Sequence, residues 1–264
     1  MCGAEDFDPL KTLECGQVFR FKKIGCDFEI IAQNQRAVLK KAQNNVEIEC
    51  TDEKFFVKYF DLCNNYDIIR LKLRDKGLFC AALEFGQGIR ILRQSPFETL
   101  ISFIISANNH IPRIKGIIER LCAALGEDCG GYYSFPSCEA LASMDEDFYY
   151  KAGLGYRAPY IVQTARAVAE GFDLEALRGL TSAEASKKLC GLKGVGPKVA
   201  DCVLLFGYGK TDVFPVDTWI KKVYNSYFGR ENNPLKIRRE LTERFGSLSG
   251  YAQQYLFYYK RELD

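Results

Sequence analysis

Lys198 and Asp217 are the residues of this sequence best placed to do chemistry. They lie in "GLKGVGPKVADCVLLFGYGKTDVFPVDTW", which runs from Gly191 to Trp219. The segment reads as helix, hairpin, helix, with the first helix ending near Cys190 and the second starting at Pro197. Gly191, Gly194 and Gly196 allow a tight turn and the close approach of another backbone. The second helix then directs unpaired N–H groups outward, which suits a phosphate group. An ordinary glycine-rich corner between two helices has the same composition, so the hairpin decides nothing by itself.

The residues after the turn add to it. In a helix starting at Pro197, Lys198 and Cys202 stand four apart on one face, with Val199, Val203, Leu204 and Leu205 around them. A helix N-terminus and apolar surroundings both favour the neutral amine, which is the nucleophilic form able to make a Schiff base with a sugar aldehyde. A lysine snorkelling along a solvated edge is the plainer alternative. In "FPVDTW", Pro215 forces an extended approach and Asp217 is a good N-cap for the helix that follows. The cap is reason enough for an aspartate, yet a carboxylate held there is expected to stay ionised and could steady a cationic sugar. Lysine, aspartate and hairpin together form a set that would grip a nucleic-acid backbone and break a glycosidic bond.

The elements that must position these groups have two textures. Between Gln17 and Cys50, "QVFRF", "DFEIIAQ", "RAVLKKA" and "NVEIEC" have strand composition and are separated by turn residues. "DEKFFVKYF" then places Phe55, Phe56, Tyr59 and Phe60 on one helical stripe, expected to be core. From Ser95 onward the pattern is helical. "SPFETLISFIISANN" has the layout of a capping box from Ser95 to Glu98, and "TSAEASKKLCG" repeats it with Thr181 and Glu184. "GYAQQYLFYYKREL" closes the chain as a helix with Gln253 and Phe257 one turn apart. The expected fold is α+β, with a small antiparallel sheet domain and flanking helices over 1–91 and an all-α helical bundle carrying the helix–hairpin–helix over 92–264.

Composition excludes several classes. A chain of 264 residues with 47% hydrophobic and 27% charged residues is ordinary globular material. The net charge of +2 means that any surface for nucleic acid must be local. No stretch is long and apolar enough to span a membrane, and "MCGAEDFDPLKT" has neither a signal-peptide nor a transit-peptide layout. An intracellular protein is expected, cytoplasmic in a prokaryote or nuclear in a eukaryote, and not secreted. The eleven cysteines, at 2, 15, 26, 50, 63, 80, 122, 129, 138, 190 and 202, include no CxxC pair. They are expected to be reduced, buried thiols, with no zinc or iron–sulfur site and no cofactor.

The motifs just quoted, with "ECGQVFRF", "RILRQSPFETLISFIISANNHIPRI", "GLGYRAPYI", "GVGPKVADC", "FPVDTW" and "GYAQQYLF" in this order, resemble the helix–hairpin–helix DNA glycosylases. Within that superfamily the sequence is similar, over nearly its whole length, to the 8-oxoguanine DNA glycosylase/AP-lyases of the eukaryotic type. The resemblance implies a monomer acting on double-stranded DNA that contains oxidised guanine. It implies Lys198 as nucleophile and Asp217 as its electrostatic partner. Phe257 and Cys202 would cover the two faces of an extruded base, and Gln253 would read its Watson–Crick edge. The Gly16 carbonyl would accept the extra ring hydrogen of the oxidised base, where normal guanine offers an acceptor instead. Asn108 would fill the vacated space, Tyr156 would wedge the duplex, and Arg113 with Arg157 would read the opposite cytosine. Gly194, Gly196 and Trp219 would meet the DNA backbone.

Two positions depart from the family pattern. Trp219 stands where the family usually has a phosphate-contacting histidine, and His110 where it usually has a third asparagine. Both bear on DNA grip and opposite-base preference. Alternatives remain: a related glycosylase for another damaged base, or a non-catalytic DNA-binding module using the hairpin as a clamp. The endonuclease III-like and adenine-specific relatives usually carry a four-cysteine iron–sulfur loop, and no such spacing occurs here. A pure binding module has no need of the Lys198/Asp217 pair or of the Gln253/Phe257 face.

Overall fold

A computed structural model describes residues 6–42 and 45–263. Cys2 lies outside the described residues. Four strands form one antiparallel sheet in the order β1 (Phe21–Ile24), β2 (Asp27–Ala32), β3 (Gln35–Ala42) and β4 (Asn45–Cys50). In register, Phe21 faces Ile30, Phe28 faces Leu39 and Leu39 faces Ile48. The buried face of β2 and β3, with Phe28, Ile30 and Leu39, packs on Phe56, Tyr59 and Phe60 of the Glu53–Tyr59 helix and its end. The aromatic stripe read from sequence is therefore core. A second and larger core joins the later helices, and Tyr66, Leu73, Leu83 and Ile91 belong to it.

The first strand is shorter than its composition suggests. "QVFRF" is expected to be strand from Gln17, but pairing with β2 in the sheet starts at Phe21. Gln17 is fully buried and its side chain replaces the ladder: Nε2 donates to the carbonyls of Thr12 (2.9 Å) and Arg90 (2.7 Å), and Oε1 accepts from the N–H of Leu92 (2.9 Å). The start of this segment is thus held by a buried amide that ties three chain segments together, and backbone bonding to β2 resumes at the Arg20 carbonyl, which accepts from the N–H of Ile31 at 3.0 Å.

The helix Pro96–Ser106 corrects a second expectation. Ser95 makes no side-chain cap bond, so the capping box over Ser95–Glu98 does not form. The buried Glu98 carboxylate instead accepts from the N–H of Gln33 (2.9 Å) at the turn after β2. Burial pushes this carboxyl up, and the neighbouring Arg20 guanidinium pulls it back. The second box is present: Thr181 and Glu184 satisfy each other's backbone at the start of Ser182–Leu189. The cysteines also differ from expectation. Ten are free, but only Cys15, Cys122 and Cys202 are buried, while Cys26, Cys63, Cys80 and Cys190 are exposed. A small apolar side chain on a short surface helix or turn has no core to enter, whatever its neighbours in sequence. No helix among the described residues is long and apolar enough to cross a membrane.

Because Gln17 satisfies carbonyls and an N–H that are all buried, replacing it leaves several polar groups without partners. Gln17→Ala is expected to lower unfolding free energy by about 3 kcal/mol in urea titration. A loss below about 1 kcal/mol would mean that water or rearranged backbone replaces the amide.

Candidate active site

The hairpin helix Pro197–Tyr208 is buried from Val199 to Gly207, so only its two ends reach the surface, and its first turn is the end that carries Lys198. Gly196 occupies its N-cap with extended backbone and offers no side chain. Gly194 turns with φ +81°, and a Cβ there would lie 2.8 Å from the Tyr160 ring, so both conformation and space require glycine. Lys198 stands half-buried on the open turn, its Nζ 5.0 Å from the centroid of the Phe103 ring. One helical turn deeper, Cys202 is 3% exposed, and burial pushes its thiol up to about 12 against the pull of Lys198. It is an inert surface, not a second nucleophile.

Asp217 enters from the other side. Pro215 lies in the extended approach, and Asp217 caps the helix Thr218–Tyr227 by accepting from the N–H of Ile220 at 2.9 Å. Burial pushes its carboxyl up from the ordinary value of 3.8, against the N–H groups of Ile220 and Trp219 and the charge of Lys198. A cap alone is expected to keep the group readily ionised; here burial outweighs the cap.

Lys198 and Asp217 open on one cavity of 940 Å³, and Gly16, Asn108, Gly194, Gly196, Trp219 and Phe257 line it as well. Residues from both ends of the chain therefore meet across it. Gly16 has φ +79°, and a Cβ on it would touch the Phe257 ring at 3.0 Å. Gln253 is not among the residues lining the cavity; it is 5% exposed, with a buried Oε1 that has no hydrogen-bond partner among the described residues. An orphan acceptor of this kind is costly unless something else supplies a donor.

Tyr156, Arg157 and Arg113 do not line the cavity but adjoin its rim. The Tyr156 hydroxyl donates to the Ala107 carbonyl (3.1 Å) while its ring stays half exposed. Arg157 is 1% exposed and donates to the carbonyls of Ala107 (2.8 Å) and Asn108 (2.7 Å), bracing the turn in which Asn108 holds φ +49°. Sequence reasoning paired Arg157 with Arg113 as base readers. The structure places the Arg157 guanidinium against backbone and Arg113 on the surface, donating to the Gly153 carbonyl at 3.1 Å. His110 caps the helix Ile111–Leu125, its Nδ1 accepting from the N–H of Arg113 at 3.4 Å, so one helix-capping residue replaces another. Lys222 stacks on the indole of Trp219, 4.2 Å from its centroid.

Three wall residues were missed from sequence. Asp201 is fully buried and takes a two-pronged bond from Arg238 at 2.5 and 2.8 Å. A carboxylate in the apolar run "KVADCVLLF" was the available signal, since such a group needs a partner. Arg261 follows Phe257 by one turn, on the same face. Among the described residues no cluster of three or more His, Cys, Asp or Glu side chains could hold a metal ion.

Two family models divide the chain. Residues 1–100 match the N-terminal domain of 8-oxoguanine DNA glycosylase, and 101–247 match the HhH-GPD superfamily of base excision DNA repair proteins. The chain belongs to this superfamily, in its 8-oxoguanine DNA glycosylase branch. A probable N-glycosylase/DNA lyase of Methanothermobacter thermautotrophicus is 33% identical over 264 residues, covering 90% of this chain and 83% of its own. The N-glycosylase/DNA lyase of Saccharomyces cerevisiae is 35% identical over 212 residues, and the chain spans 56% of its length. Among solved structures, the Clostridium acetobutylicum 8-oxoguanine glycosylase/lyase, in complex with double-stranded DNA containing cytosine opposite 8-oxoguanine, superposes with a TM-score of 0.93. It is 40% identical, with 98% of this chain and 93% of that one covered.

The lifted carboxyl of this glycosylase-family site has a consequence for stability. Folding raises the pKa of Asp217, so the folded chain holds a proton that the unfolded chain releases between pH 3.8 and the raised value. Stability contributed by this group falls as pH climbs through that window. Asp217→Asn keeps a helix cap and removes the half-buried charge. At neutral pH it is expected to unfold at an equal or higher urea concentration than the parent, and the advantage is expected to vanish below pH 3.8. A variant less stable than the parent at neutral pH would contradict the dominance of burial at this site.

Proposed function

We propose that this chain is a DNA glycosylase and AP lyase that excises 8-oxoguanine from duplex DNA, preferentially opposite cytosine, as part of base excision repair inside the cell. The observation that carries the reading is that Lys198 and Asp217 open on the same cavity as Gly16 and Phe257. A nucleophile, a carboxylate and two base-contacting surfaces share one space of a size to take an extruded nucleotide.

The hairpin and the first turn of its helix take a backbone phosphate with Gly194 and Gly196. Asn108 and Tyr156 hold the gap left in the duplex, and the lesion enters the cavity beside Phe257. The exposed Arg113 and the rim that Arg157 braces face the orphaned cytosine. Gln253 does not itself line the cavity, but its orphan Oε1 finds a donor on the Watson–Crick edge of the seated base. Cys202 supplies a buried, un-ionised surface beneath the base.

In the chemical step the Lys198 amine attacks the anomeric carbon, forming a C–N bond as the glycosidic bond breaks and the base leaves with a proton. The negative charge of Asp217 steadies the positive charge that develops on the sugar as the two bonds exchange. Opening of the sugar ring gives an imine on Lys198. Loss of the neighbouring sugar proton then expels the 3′ phosphate by β-elimination and nicks the strand. Every reacting group comes from the chain or the substrate.

Lys198→Gln removes the nucleophile while leaving the cavity walls in place. It is expected to lower single-turnover base release by at least about 10³-fold and to abolish strand cutting, while binding to 8-oxoguanine duplex changes by less than about tenfold. Retained base release at the parental rate would sink the assignment. Loss of binding together with activity would point to a structural role for Lys198.

A further inference from the structure

Four successive carbonyls in the loop that holds Gly16 are treated unequally. The Glu14 carbonyl accepts from Nη2 of Arg261 and the Cys15 carbonyl from Nε2 of Gln254 at 2.7 Å, both donors on the closing helix Ser249–Leu263. The Gln17 carbonyl accepts from Nε2 of Gln94 at 2.7 Å. No hydrogen bond to the Gly16 carbonyl is made among the described residues. Arg261 also stacks beside Phe257, 5.5 Å from the ring centroid, and its buried Nη1, without a partner among the described residues, lies 3.6 Å from where a Cβ on Gly16 would be.

Position 16 is where such fixing matters. Glycine at φ +79° is the residue most able to rotate its following peptide, since no Cβ opposes the change. One orientation of the 16–17 peptide shows the base a carbonyl, which accepts the ring hydrogen of an oxidised guanine. The reverse shows it the N–H of Gln17, which complements the bare ring nitrogen of ordinary guanine. A loop free to flip would accept both bases.

We propose that Arg261, Gln254 and Gln94 form a clamp of positioning residues that holds the peptide after Gly16 in the carbonyl-inward orientation, and that this clamp sets the preference for oxidised over ordinary guanine. The proposal rests on the glycosylase reading above and deepens it. The two chain ends act together, because the closing helix supplies both the Phe257 ring and two of the three ties on the loop facing it. Arg261 joins the two surfaces in one side chain, with its guanidinium over the Phe257 ring and its Nη2 on the Glu14 carbonyl.

The test compares two reactions in one protein. Excision of 8-oxoguanine needs the base to be read; strand cleavage at a preformed abasic site does not. In Arg261→Met and, separately, Gln254→Met, kcat/KM for 8-oxoguanine excision is expected to fall about tenfold relative to abasic-site cleavage. Competition by an undamaged guanine duplex is expected to strengthen in the same variants. Arg261→Lys keeps a donor for the Glu14 carbonyl and is expected to recover part of the ratio. Thermal unfolding of each variant separates this effect from a loss of fold, which lowers both activities together. Both activities present with an unchanged ratio would overturn the clamp alone. Absence of both in the parent protein would overturn the glycosylase reading and the clamp with it.

Discussion

A helix buried from Val199 to Gly207 leaves one turn at which a charged side chain can meet solvent, and Lys198 is on that turn. The rest of the site follows from this constraint. The helix cannot shift without exposing its apolar length, so the hairpin before it, with Gly194 against Tyr160, is fixed in place. The Asp201–Arg238 pair ties the same helix to the helix Pro234–Phe245, which forms another wall of the cavity. Asp217 is brought opposite by a separate cap, so the two reactive groups are set by different local rules that meet only in the folded chain.

Burial gives this site its electrostatic character. Asp217, Asp201 and Cys202 are all pushed up by loss of water, with opposing help from Lys198 or Arg238. A low-dielectric wall strengthens the interaction between a carboxylate and any positive charge that develops on a sugar. It also explains why the thiol of Cys202 is a surface for packing while the amine one turn away is the group with access.

Much of this arrangement was legible in the sequence because it depends on local rules. The hairpin needed glycine, Asp217 followed a proline at a helix start, and the Thr181–Glu184 box formed as its spacing requires. The aromatic stripe of the Glu53–Tyr59 helix became core for the same reason. What could not be read was decided by partners distant in sequence. Gln17 had strand neighbours but found its bonds at Arg90 and Leu92. Glu98 had the right spacing for a box and bonded Gln33 instead. The motif around Arg157 gave no sign that its guanidinium braces the turn at Asn108. Spacing along a helix says which residues share a face; it does not say which of two available partners is better dehydrated.

The chemistry proposed for this site turns on a covalent bond between Lys198 and the sugar. Borohydride reduction during reaction with an 8-oxoguanine:cytosine duplex, followed by peptide mapping of the adduct, tests it most directly. A single protein–DNA adduct on the peptide carrying Lys198 is expected, with a much weaker one from an undamaged duplex. An adduct mapped to another amine, or base release with no adduct at all, would contradict it.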